Sequence, residues 1–98
     1  MQTIFHRLWQ EEIAMKFYYI TFRSITHAQR GDRILQKEGI RCILLRTPKW
    51  MEERGCGYCL RIWTNEIRPA LEALGGHQVP WRKVYIQGRD GQLEEWDR

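Results

Sequence analysis

Hydrophobic and polar positions along the chain switch between two periods, and the switches mark the elements. Residues 17–22, FYYITF, are an unbroken aromatic and β-branched run, the pattern of a strand. Beyond it the period lengthens. Ile25, Ala28 and Leu35 recur at helical spacing with Gly31 on the same stripe and Ile34 beside it, which predicts a helix over 25–38. Ser24 or Thr26 supplies its cap, Thr26 and Gln29 being spaced like a capping box. Glycine lowers helix propensity by about 1 kcal/mol against alanine, so Gly31 is expected where the helix packs closely on a sheet. Gly39 stands where a helix ends in a left-handed residue.

Residues 40–46, IRCILLR, form a second apolar run that Pro48 stops, and a polar loop, KWMEERG, follows. From 58 to 63 the alternation returns, with Tyr58, Leu60 and Ile62 on one face and Cys59, Arg61 and Trp63 on the other. Thr64 or Asn65 then caps a helix over 66–74, in which Ile67, Ala70, Leu71 and Leu74 make the apolar stripe. Gly75 and Gly76 are expected to end it, and a last strand centres on Val84 and Ile86.

The order β-α-β-β-α-β, joined by right-handed crossovers, predicts an α+β fold of ferredoxin-like architecture: a four-stranded antiparallel sheet with both helices on one face. Leu35, Ile40, Cys42, Leu44, Leu60, Ile62, Leu71, Leu74 and Val84 are the expected core. The opposite sheet face stays open, and Phe17, Tyr19, Arg61 and Trp63 are expected to decorate it. Three segments follow: an N-terminal extension, 1–15, with Ile4, Phe5, Leu8, Trp9 and Ile13 on one face of a short helix; the domain itself, 16–87; and a polar tail, 88–98. Met15 offers a second start for translation. The extension, or a homodimer, would cover the open sheet.

Composition narrows the class. Ninety-eight residues, 43% of them hydrophobic, suit one folded domain. No apolar run approaches the roughly 18 residues of a membrane helix, and no signal-peptide pattern is present. The odd count of three cysteines fits free thiols, so the expected location is cytoplasmic. The net charge is +4, but the sixteen basic residues interleave with twelve acidic ones, the pattern of a mixed, solvated surface. An aromatic open sheet would suit stacking on RNA, yet the ring-rich glycine motif of such domains is absent from the third strand, which argues against nucleic acid.

The candidate chemistry sits in residues 54–59, RGCGYC. A thiolate is favoured beside cations and uncovered backbone N–H groups. Cys56 has Arg54 and Arg61 near it in sequence and a glycine on either side, Gly55 and Gly57. Cys59, three residues on, offers a second thiol that can close a disulfide or share a bound atom. Soft-metal binding is the rival for the same sulfurs, but no second C-x-x-C or H-x₃₋₅-H completes a zinc set, and His27 and His77 lie far apart. No metal and no other cofactor is expected. A third course is that RGCGYC is a glycine-rich turn with incidental cysteines. Cys42, alternating with Ile40 and Leu44, is expected to be a small core residue.

In order and spacing, the strand exit Thr21-Phe22-x-Ser24, the helix stop Gly39-Ile40, and Cys56-Gly57 leading into Leu60-Arg61 resemble the selenium/sulfur carrier-like family of small bacterial domains. The likeness covers residues 17–87. What it implies is an accessory role in selenium or sulfur handling, with Cys56 carrying the chalcogen as a persulfide or perselenide and Gly57 as its backbone partner. Donor and acceptor proteins are then the implied partners, and the chain is a carrier rather than a multiple-turnover enzyme. Two positions depart from the family's pattern: Glu52 to Gly55, where small hydroxyl residues are usual, and Cys59, where a small apolar residue is usual. An adaptor docking on a selenium or sulfur enzyme is the alternative.

Overall fold

The computed structural model describes residues 17–47, 57–88 and 91–96. Strand β1 (Phe17–Thr21) leads into helix α1 (Ile25–Lys37), then β2 (Cys42–Arg46), β3 (Tyr58–Trp63), a 3₁₀ turn (Thr64–Glu66), helix α2 (Ile67–Gly76), β4 (Val84–Gln87) and β5 (Leu93–Glu95). The strands form one antiparallel sheet in the order β2-β3-β1-β4-β5. The first four are the ferredoxin-like arrangement, with β1 and β3 in the middle. The fifth corrects the expected count of four. It comes from Leu93–Glu95, inside the segment expected to be a polar tail, and it covers the β4 edge that a four-stranded sheet would leave bare.

Register assigns the faces. The rows Cys42–Ile62–Tyr18–Ile86 and Leu44–Leu60–Ile20–Val84 turn toward the helices. Ile20, Leu60 and Ile62 are fully buried there with Phe22, Ala28, Leu35, Ile67, Ala70, Leu71, Leu74, Val79 and Val84. Of the expected core, Ile40, Cys42 and Leu44 are only partly buried, packed against its margin. The cause is positional: β2 is an edge strand with a neighbour on one side. Ile25, the first residue of the expected α1 stripe, is exposed.

Helix α1 begins as its sequence suggests. Of the two candidate caps, Ser24 is the one, its Oγ accepting from the His27 N–H at 3.1 Å, while Thr26 lies inside the helix. It ends with Gly39 at φ 75°, the Gly39 N–H donating to Gln36 O and the Ile40 N–H to Leu35 O, the paired bonds of a Schellman motif. Midway, a Cβ built on Gly31 would lie 3.2 Å from Leu74 Cδ2, 3.3 Å from Leu60 Cδ1 and 3.4 Å from Phe22 Cζ. The close approach expected of this glycine is therefore to the sheet and to α2 together.

Helix α2 departs from expectation at both ends. Thr64 and Asn65 belong to the 3₁₀ turn, and the residue before the helix, Glu66, makes no capping bond with its side chain. Glu66 is otherwise engaged: its carboxylate accepts from the Arg41 N–H at 2.9 Å and pairs with Arg41 Nε at 3.5 Å. At the other end, Gly75 and Gly76 do not stop the helix but form its last turn. The left-handed residue is Gln78, at φ 58°, and the bonds Gln78 N–H to Gly75 O and Val79 N–H to Leu74 O repeat the Schellman pattern. Val79 is drawn into the core by that turn and is almost fully buried.

Candidate functional site

The two ends of the open sheet face differ in chemistry. At one end the Phe17 and Trp63 rings meet edge to face, 5.0 Å between centroids. The Arg61 guanidinium stands 4.7 Å over Phe17 and 5.9 Å from Trp63, and Arg41 lies 4.9 Å over the same indole. Arg61 Nε is buried and has no hydrogen-bond partner among the described residues, so the ring faces are what stabilise that cation. Tyr19, beside Arg61 in the register, donates its hydroxyl to Gln87 Oε1 at 3.3 Å. The aromatic decoration expected of this face is thus present and largely self-engaged.

The cysteine motif enters the sheet at the opposite end. Strand β1 leaves the sheet there, β2 ends there and β3 begins there. The Thr47 N–H donates to the Gly57 carbonyl at 2.9 Å, which closes the hairpin between β2 and β3. Gly57 is buried and has φ 85°, a conformation that leaves little room for a side chain. The glycine that follows Cys56 is therefore required by the turn, and the bond from Cys56 to Gly57 ties the motif to a fixed point of the sheet. Cys56 and Arg54 themselves lie outside the described residues.

Cys59 faces the open side, in register with Thr21 and Leu45, and is fully buried. Alternation gave its face, but its depth was not legible in the sequence. Arg61 is four residues beyond Gly57 along an extended strand, about 13 Å, and its guanidinium is held among the rings at the far end. The structure thus brings Gly57 and Cys59 together at the hairpin mouth and directs Arg61 away from it.

Cys42, the third cysteine, packs from β2 toward α1, and its thiol donates to Asp32 Oδ1 at 3.3 Å. Burial first, then this hydrogen bond and the nearby charges of Asp32 and Glu66, push its pKa up to about 12. A thiolate there would be desolvated and set against two carboxylates, so Cys42 is chemically silent at neutral pH.

Sequence inspection missed one group at the motif's end of the sheet. Thr21 exchanges backbone bonds with the segment before β4, its N–H donating to Lys83 O at 2.9 Å and its carbonyl accepting from the Arg82 N–H at 2.7 Å. Arg23, two residues past Thr21, thereby comes beside Arg82. The two arginines are 59 positions apart in the sequence, so no local motif announces them. Among the described residues no cluster of three or more His, Cys, Asp or Glu could hold a metal ion, and no helix is long and apolar enough to cross a membrane.

Compared with known proteins, the chain matches one family model, described as "Putative Se/S carrier protein-like", over residues 17–86. That span runs from the first residue of β1 to the penultimate residue of β4, leaving β5 outside it. Neither a curated protein nor a solved structure matches.

Proposed function

The chain belongs to the Se/S carrier protein-like family, and from that premise we propose that Cys56 is the carrier thiol, taking a sulfur or selenium atom from a donor and passing it to an acceptor. The observation that carries the proposal is the hairpin closure: Gly57, at φ 85° and bonded through its carbonyl to Thr47, fixes the residue next to Cys56 at the rim of a rigid sheet. A carrier needs its thiol on an anchored turn that two different proteins can approach in succession. The other two thiols lack that access, one fully buried and the other protonated against Asp32.

The step is a thiol exchange. The Cys56 thiolate attacks the outer chalcogen of a donor persulfide, R–S–SH. The bond from Cys56 Sγ to the sulfane sulfur forms, the donor S–S bond breaks, and R–S⁻ leaves with the electron pair. Cys56–S–SH remains, and the selenium case differs only in the atom moved. No oxidant is consumed, because the sulfane sulfur keeps its oxidation level. Arg54, two residues before Cys56, favours the thiolate. Arg61 acts on it only through the field of the face, since its guanidinium is engaged with Phe17 and Trp63. A resolving role for Cys59, closing a disulfide with Cys56 and releasing HS⁻, requires the first residues of β3 to open, because its sulfur is buried.

Competitive alkylation tests the assignment before any donor is known. Under brief exposure to iodoacetamide at neutral pH, peptide mass mapping should find Cys56 modified at least about tenfold faster than Cys59 and Cys42, as thiolate fraction and access dictate. Equal rates at the three sulfurs, or Cys59 leading, would remove Cys56 from the role.

A further inference from the structure

We infer that the hollow between the start of α1 and the segment before β4 is a binding site for a doubly charged, phosphate-type oxyanion. It measures about 330 Å³ and is lined by Arg23, His27, Pro80, Trp81 and Arg82. That is at the small end of the range for ligand pockets. Two guanidinium groups and an imidazole share the lining, and no carboxylate does. Neither arginine side chain has a hydrogen bond or ion pair among the described residues. His27 Nδ1 is buried and likewise without a partner. The adjoining hollow, which shares Trp81 and Arg82, does hold a carboxylate, Glu95, 3.8 Å from Lys83 Nζ.

Like charges gathered around one concavity repel, and their field is focused into it. An anion at the centre turns that repulsion into attraction. The planar arginine fork matches tetrahedral oxyanions with paired N–H bonds, which a single-charge ligand such as acetate uses less fully. Trp81 and Pro80 form a wall without charge, so the site also accommodates the organic part of a phosphate ester. The backbone makes the convergence permanent rather than incidental. Arg82 is bonded to Thr21, Arg23 follows Thr21 by two residues, and Ser24 caps the helix that carries His27. None of the five lining residues belongs to the Cys56 motif or is used in the carrier step, so this inference and the carrier reading succeed or fail separately.

The full-length chain labelled with ¹⁵N is titrated with inorganic phosphate at constant ionic strength, following the Trp81 indole N–H, identified with Trp81→Phe. The Trp81 signal should shift saturably, while chloride at equal ionic strength leaves it in place. Arg23→Gln or Arg82→Gln should weaken phosphate roughly tenfold each, the effect of one lost charge-assisted contact. The double variant should not bind, and exposed Arg33→Gln should bind as the parent does. Thermal melts of the variants should match the parent, since both side chains reach solvent. Methyl phosphate separates two sources: equal or tighter binding means the phosphate of an organic ligand, and loss means the free ion. The inference is overturned if phosphate shifts nothing, if chloride or acetate acts as strongly, or if the folded double variant binds unchanged.

Discussion

Two of the three cysteines differ sharply in what their surroundings do to them. Cys42 gains stability for the fold as a neutral thiol donating to Asp32. Its pKa is raised in the folded state to about 12 from 9.0, so the native form holds its proton where the unfolded chain gives it up. The stability it contributes is complete below the unfolded value and is lost as the pH climbs through the folded one. Cys42→Ala should therefore cost on the order of 1–2 kcal/mol at about pH 8, measured by urea denaturation, and less at each step above pH 9. A cost that stays constant or grows with pH would contradict the assignment. The sequence made this residue a small core thiol from its alternation with Ile40 and Leu44. The acidic partner that makes it inert comes from the facing helix and was not legible, because contacts across elements leave no periodic trace.

Two further residues show where local pattern and structure part. Glycine is the usual left-handed residue after a helix, so the pair at 75 and 76 looked like the stop. Both are instead in the last helical turn, with open space where a Cβ would go, and Gln78 takes the left-handed conformation. Burial of Val79 just beyond fixes where the chain must reverse, and tertiary packing overrides the local preference. Gly75→Ala and Gln78→Gly should each raise stability by about 0.5–1 kcal/mol, read as an upward shift in melting temperature; a fall for Gln78→Gly would mean its side chain does more than tolerate the turn.

At the scale of elements, β1, α1, β3 and β4 were legible because each carries several residues of one period. Strand β3 was bounded correctly at Tyr58 and Trp63, and α1 to within a residue. Strand β5 was not. Its three residues, Leu93-Glu94-Glu95, are too short and too polar to show alternation, and the pairing with β4 rests on backbone bonds that any sequence can make. What pins it is the next residue. Trp96 donates its N–H to Val84 O at 2.7 Å and sets its ring edge to face on Tyr18, 5.2 Å between centroids. Trp96→Ala should cost about 1–2 kcal/mol, the ring pair plus its buried area, and hydrogen exchange should quicken at β5 amides first. Unchanged protection of β5 would show that the strand does not depend on this ring.

For the whole molecule, the sheet separates two chemistries along one face. The Phe17, Trp63, Arg41 and Arg61 cluster stabilises itself at one end. The other end collects the hairpin mouth at Thr47 and Gly57, buried Cys59, and the arginine-lined hollow beside Thr21. The cysteine motif was legible as a candidate because its spacing and flanking glycines are local; the left-handed conformation of Gly57 at the hairpin closure was not read from the sequence. The part expected of Arg61 was not legible, since its guanidinium serves the rings, and the convergence of Arg23 and Arg82 on their own hollow comes from contacts across elements. The proposed passage of a chalcogen through Cys56 is tested most directly by loading. The purified chain is incubated with a persulfide donor, R–S–SH, and, separately, with a perselenide donor, R–S–SeH, and the added atom is located by peptide mass mapping. One atom should appear on Cys56, and Cys56→Ala should take up none while melting as the parent does. Equal loading of all three cysteines, or undiminished loading of Cys56→Ala, would contradict the account.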